Sequence, residues 1–79
     1  MNNDNENIIE AVNIDTAYED VANAIIKQAA HDYRLALVRD DRTKIESIER
    51  FFKSERYTVL TTISGEFIMN RIKKELKLV

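Results

Sequence analysis

The sequence predicts an all-α fold, a small helical bundle. Apolar residues recur three and four positions apart over most of the chain, the period of a helix that buries one face. Candidate helix starts stand ahead of those stretches at Thr16, Thr43, Ser54 and Ser64. One glycine and no proline in 79 residues leave almost no tight β-turn chemistry.

Residues 1–14 read as an acidic, partly disordered arm, and residues 15–79 as the helical domain. The first seven positions are polar and rich in asparagine, a composition that buries too little to fold alone. Ile8–Val12 is too short to decide between a helical turn and an extended segment. The first main helix is predicted over 16–39, where Thr16-Ala17-Tyr18-Glu19 matches a capping box. Its apolar positions are Tyr18, Val21, Ala22, Ile25, Ala29, Tyr33, Ala36 and Leu37. Ile26 and Ala30 widen the stripe, so this helix is expected to be contacted on more than one side.

Asp40-Asp41-Arg42 breaks the pattern, and Thr43 with Glu46 forms a second capping box. The helix predicted over 44–53 turns Ile45, Ile48 and one of Phe51 or Phe52 inward. Neighbouring helix residues point about 100° apart. One ring therefore fills the core, and the other lies at a second interface or at the helix junction. A short helix near 55–61 follows Ser54 and contains Tyr57, Val59 and Leu60. Thr58, Thr61 and Thr62 lower its helix propensity, but a strand here would have nothing to pair with. The last helix, over 65–77, starts at Ser64-Gly65-Glu66 with Phe67, Ile68, Ile72 and Leu76 inward. Lys73, Lys74 and Lys77 complement its C-terminal dipole.

A core of this size yields only a few kcal/mol, so small domains lean on disulfides, a metal or a partner surface. Cysteine is absent and there is one histidine, which leaves self-association or a partner, with no metal or cofactor. No stretch approaches the length of a membrane span. The acidic, polar start is the reverse of a secretory signal, so a cytoplasmic location is expected. Net charge is −2, but it is unevenly placed. Residues 1–26 carry −6 and residues 27–79 carry +4. Such an arm can fold on its own body, meet a neighbouring subunit, or mimic a polyanion for a basic partner.

Catalysis needs a polarised nucleophile or a matched acid and base, and no such set stands out. His31 and Asp32 are adjacent and diverge on a helix, so a solvent-facing or boundary histidine is the better reading. The strip Glu46, Glu49, Arg50, Lys53 and Arg56 offers two i,i+4 pairs, Glu46–Arg50 and Glu49–Lys53. It reads mainly as a solvated face. Its functional alternative is an anion site in which Arg34, Arg50, Lys53 and Arg56 converge on phosphates. Nucleic-acid binding ranks behind protein binding, because a helix-turn-helix needs several base-reading side chains that the second helix lacks.

Three segments carry a resemblance: Asp32-Tyr33-Arg34, Glu49 to Ser54 (E-R-F-F-K-S), and Gly65 to Ile68 (G-E-F-I). Together they resemble small uncharacterised helical proteins of phages and prophages of Gram-positive bacteria, over about two thirds of the chain. Those proteins carry a D-Y-R helix, an E-R-F-F-x-S segment and a G-E-[YF] helix. This chain departs at Arg56-Tyr57, where a W-F pair is usual, and at Ile63-Ser64, where an aspartate usually precedes the glycine. The resemblance implies a phage origin and leaves the mechanism open.

A non-catalytic protein of this size acts by occupying a surface. The leading expectation is a phage-encoded inhibitor of a host defence factor, such as a CRISPR nuclease, working in the host cytoplasm. Glu6, Glu10, Asp15, Glu19 and Asp20 would meet a basic target, with Tyr18 as an anchor. The alternative is a binder of nucleotide or nucleic-acid phosphates through Arg34, Arg50, Lys53 and Arg56, working as a homo-oligomer.

Overall fold

The computed structural model describes the backbone of residues 2–78 and the side chains of residues 17–78. Four helices follow in order: α1 (Asn2–Arg39), α2 (Arg42–Phe52), α3 (Glu55–Leu60) and α4 (Gly65–Glu75). No strand occurs among the described residues. The all-α bundle is therefore as the sequence predicts, and α3 is a helix rather than a strand.

The first boundary differs from expectation. Helix α1 passes through Asp15 and Thr16 without interruption, so the capping box at Thr16 does not begin a helix. A Thr-x-x-Glu pattern also arises on the polar face of a continuous helix, where nothing needs capping. The expected flexible arm over 1–14 falls on residues whose side chains lie outside the described ones.

Helix α1 ends in two backbone hydrogen bonds, from Asp41 N–H to Ala36 C=O at 2.9 Å and from Asp40 N–H to Leu37 C=O at 3.2 Å. With Asp40 at φ 56°, this is a Schellman closure with aspartate in the left-handed position usually held by glycine. The cap of α2 is Asp41 rather than the expected Thr43, and its carboxylate accepts from Lys44 N–H at 3.3 Å. The remaining starts are as predicted. Ser54 Oγ accepts from Tyr57 N–H at 3.2 Å and Ser64 Oγ from Phe67 N–H at 3.3 Å.

The core gathers Tyr33 from α1, Phe52 from α2, Tyr57 from α3, and Met69 and Ile72 from α4. Its rings meet edge to face, Tyr33–Phe52 at 6.1 Å and Phe52–Tyr57 at 5.5 Å between centroids. Such geometry adds about 0.5–1.5 kcal/mol per pair beyond area burial. Phe52 is the ring that fills the core, and Phe51 is the half-buried one, set edge-on to Tyr57 at 5.7 Å between centroids.

Gly65, the chain's one glycine, decides how α4 docks. A Cβ there would stand 2.0 Å from the Phe52 carbonyl oxygen and 2.9 Å from its carbon. The start of α4 thus lies directly against the end of α2, at a distance only glycine permits. That contact sets the rotation of α4. Gly65, Met69, Ile72 and Leu76 share the inward stripe, while Phe67 is about 200° round from Gly65. Phe67 is accordingly exposed rather than inward as predicted, and Met69 takes its place.

One polar joint ties three helices together. The Tyr33 hydroxyl donates to Glu49 Oε2 at 2.6 Å, and Lys73 Nζ lies 3.8 Å from the same oxygen. Burial, then the bond to Glu49 and its charge, push the Tyr33 hydroxyl well above the usual phenol range. Burial also raises the pKa of Tyr57, whose hydroxyl has no hydrogen-bond partner among the described residues.

Candidate functional site

The core accounts for one face of α1 and leaves another open. Tyr18, Val21 and Ile25 are exposed at 53%, 58% and 42%, whereas the helical spacing grouped them with buried Tyr33 and Ala36. They are corrected to a second, uncovered stripe. The sequence signal for it was the unusual width of the apolar stripe on this helix.

Val21, Ala24, Ile25, Gln28, Ala29 and Asp32 line an open groove of about 530 Å³, with Phe51 as its far wall. Phe51 is the ring left over when Phe52 entered the core, and it extends the apolar surface of α1 onto α2. At the upper end of the stripe, the Tyr18 hydroxyl reaches the Val59 carbonyl at 3.4 Å. That contact holds the ring against α3 with one face exposed.

Acidic groups border this apolar strip. Glu19 and Asp20 are exposed on α1 beside Tyr18 and Val21. Asp32 closes the other end of the groove and accepts from Gln28 Nε2 at 2.9 Å. The other proposed partner-binding acids, Glu6, Glu10 and Asp15, have side chains outside the described residues.

The structure divides the expected anion cluster. Arg34 Nε is engaged with Glu75 Oε1 at 3.0 Å and does not line the depression that holds Arg50. Lys53 lines a different depression, between Phe52, Tyr57 and the α3–α4 loop. Only Arg50 and Arg56 come together, in a notch of about 440 Å³ with Ser47, Ser54 and the other side of Phe51. The expected pairs Glu46–Arg50 and Glu49–Lys53 are not among the ion pairs of the described residues. Glu49 turns instead to Tyr33 and Lys73, because a half-buried carboxylate gains more from a fixed hydroxyl than from a solvated lysine. No carboxylate lines the notch of Arg50 and Arg56.

His31 is exposed, in keeping with its reading as a solvent-facing side chain. No group of three or more potential metal ligands occurs among the described residues. No helix among them is long and apolar enough to cross a membrane. Chemically, the surface offers an apolar groove with acids on α1 and an arginine notch across Phe51. No family model matches the chain, and no curated protein or solved structure matches it either, so the functional reading rests on this geometry.

Proposed function

We propose that the protein is a non-catalytic, phage-encoded binding protein. It occupies the surface of a basic host target through the N-terminal half of α1. The observation that supports this is the exposed stripe of Tyr18, Val21 and Ile25 set among Glu19, Asp20 and Asp32. Apolar anchors ringed by polar groups are the usual anatomy of a binding surface. The clustered negative charge of residues 1–26 suits a target that ordinarily holds a polyanion. A nucleic-acid channel of a host defence nuclease, such as a CRISPR effector, has that character, which places the protein in the host cytoplasm.

Competition between the protein and DNA for purified defence nucleases, followed by mobility shift, tests the reading. The intact chain is expected to displace DNA. A variant with Glu6, Glu10, Asp15, Glu19 and Asp20 changed to lysine is expected to lose that ability by at least tenfold. Equal displacement by both proteins, or by neither, would overturn it.

The notch of Arg50, Arg56 and Ser47 favours a second reading, a binder of phosphate-bearing ligands. Two guanidiniums without a carboxylate between them match phosphate in charge and geometry. Phe51 offers a ring for a base to stack on. A ligand that binds only the folded chain raises its melting temperature. A nucleotide and oligonucleotide panel that produces no shift counts against this reading.

A further inference from the structure

The groove is bordered by both signs of charge, acids along α1 and the arginines of α2 and α3 across Phe51. A uniformly basic partner complements only the first border. A second copy of this chain, turned end for end, complements both. We propose that the first occupant of the α1 face is a second copy, paired antiparallel across a two-fold axis between Val21 and Ile25. The inference rests on the reading of α1 as a docking face and names the partner that covers it before a target does.

Spacing along α1 supports the pairing. Ile14, Tyr18, Val21, Ile25 and Gln28 alternate by four and three positions, the seam spacing of paired helices. Ala17 and Ala24 flank the exposed seam and are themselves exposed, so a second helix can approach closely on that side. With the axis between Val21 and Ile25, Tyr18 of one copy falls opposite Gln28 of the other. The acidic stretch from Asp15 to Asp20 in the second copy then runs towards Phe51, Arg50 and Arg56 of the first. The contact is made twice, as a two-fold interface requires.

Charge along the whole chain points the same way. Residues 1–26 carry −6 and residues 27–79 carry +4. Antiparallel pairing lays each acidic half along a basic body, whereas parallel pairing stacks the two acidic halves together. Helix α1 also spans 38 residues, while the core it packs on lies against its later part. A long helical stretch without tertiary packing is marginal in water, and a second copy supplies that packing.

Sedimentation velocity of the intact chain, over a range of concentration and salt, tests the proposal. A dimer is expected at low salt, with its dissociation constant rising at least tenfold at high salt. Val21→Glu with Ile25→Glu is expected to give a monomer of unchanged helical circular dichroism, since both positions are exposed in the single chain. Arg50→Glu with Arg56→Glu is expected to weaken the dimer at least tenfold. Mixing that variant with one carrying Asp15→Arg and Glu19→Arg is expected to restore pairing. Orientation is read from Ala17→Cys, which forms a disulfide with itself only in parallel pairing. A wild-type monomer at all concentrations, or a self-linked Ala17→Cys dimer, overturns the proposal. The docking reading fails separately, when the Val21→Glu, Ile25→Glu monomer displaces DNA from a target as well as the intact chain does.

Discussion

Two faces of α1 carry the same apolar spacing and meet opposite surroundings. Tyr33 is wholly buried and Ala36 nearly so, while Tyr18 and Val21 are more than half exposed. The reason is the face of the helix that each residue occupies. Ala22, next to Val21, is buried at 2%, and Leu35, next to Ala36, is exposed at 37%. The short helices α2, α3 and α4 cover one side of α1 and leave the other open. Apolar periodicity therefore marks a face that is to be covered, and says nothing about whether the same chain covers it.

Truncating the two tyrosines is the most direct way to break that comparison. Tyr33→Ala removes a ring from a closed core and is expected to cost about 4 kcal/mol. Tyr18→Ala is expected to change stability by less than about 0.5 kcal/mol in dilute solution. Urea denaturation monitored by circular dichroism reads both. A loss at Tyr18 approaching that at Tyr33 would mean that the open face is covered in solution.

Next in size is Gly65→Ala. The added methyl cannot coexist with the Phe52 carbonyl at 2.0 Å, so α4 must move away from α2 and the core around Met69 and Ile72 opens. A loss of about 3 kcal/mol is expected, at the upper end for overpacking. The change should leave Tyr18 and Val21 untouched, so hydrogen exchange is expected to rise in α2 and α4. Equal stability of the variant would show that the two helices do not meet this closely.

The buried tyrosines share a raised pKa and differ in what their hydroxyls meet. The Tyr33 hydroxyl is held protonated by burial and by Glu49, so its folded pKa lies above the usual value of 10.0. Its contribution is complete below that value and is lost as pH climbs through the folded pKa. Stability is therefore expected to fall above about pH 10. Tyr33→Phe should flatten that fall while costing about 2 kcal/mol at neutral pH, the worth of a hydrogen bond to a charged group. Tyr57→Phe has the opposite sign at neutral pH. It removes a buried hydroxyl without a partner among the described residues and is expected to stabilise by up to about 1 kcal/mol. Denaturation midpoints at pH 7 separate the two, and those at pH 10.5 read the alkaline loss that the raised pKa of each predicts.

Much of the body was legible because its signals are local. Ser54 and Ser64 cap helices where the sequence places them, since a hydroxyl one turn ahead of an apolar stretch depends on nothing distant. Thr43 lost its role to Asp41, whose carboxylate holds the same position two residues earlier. What escaped was tertiary. The spacing of α4 suggested Phe67 as a core residue, but the close approach at Gly65 set the rotation. The pairing of Glu49 with Lys53 follows from spacing alone, yet Tyr33 from another helix claims that carboxylate. The groove was half legible. A stripe too wide for one contact was visible on α1, whereas Phe51 as its wall required knowing which of two adjacent rings turned inward.

The smallest expected effect concerns the ends of α1 and α4, which close alike. Lys77 N–H bonds to Lys74 C=O at 3.0 Å and Leu78 N–H to Lys73 C=O at 2.8 Å, with Lys77 at φ 61°. This repeats the closure at Asp40. A left-handed backbone costs an L-residue about 1–2 kcal/mol, and aspartate tolerates it better than lysine. Lys77→Gly is expected to stabilise by up to about 1 kcal/mol, and Asp40→Gly by less. The ion pair lost with Asp40, to Arg42 at 3.1 Å, is highly exposed on both sides and contributes little. Thermal melts of the two variants rank them. The comparison turns on position as well as residue type, because Asp40 sits in the joint between α1 and α2 while Lys77 closes the end of α4. A gain at Asp40 alone would show that strain is felt where helices are tied to the core and is released by fraying at the end of the last helix.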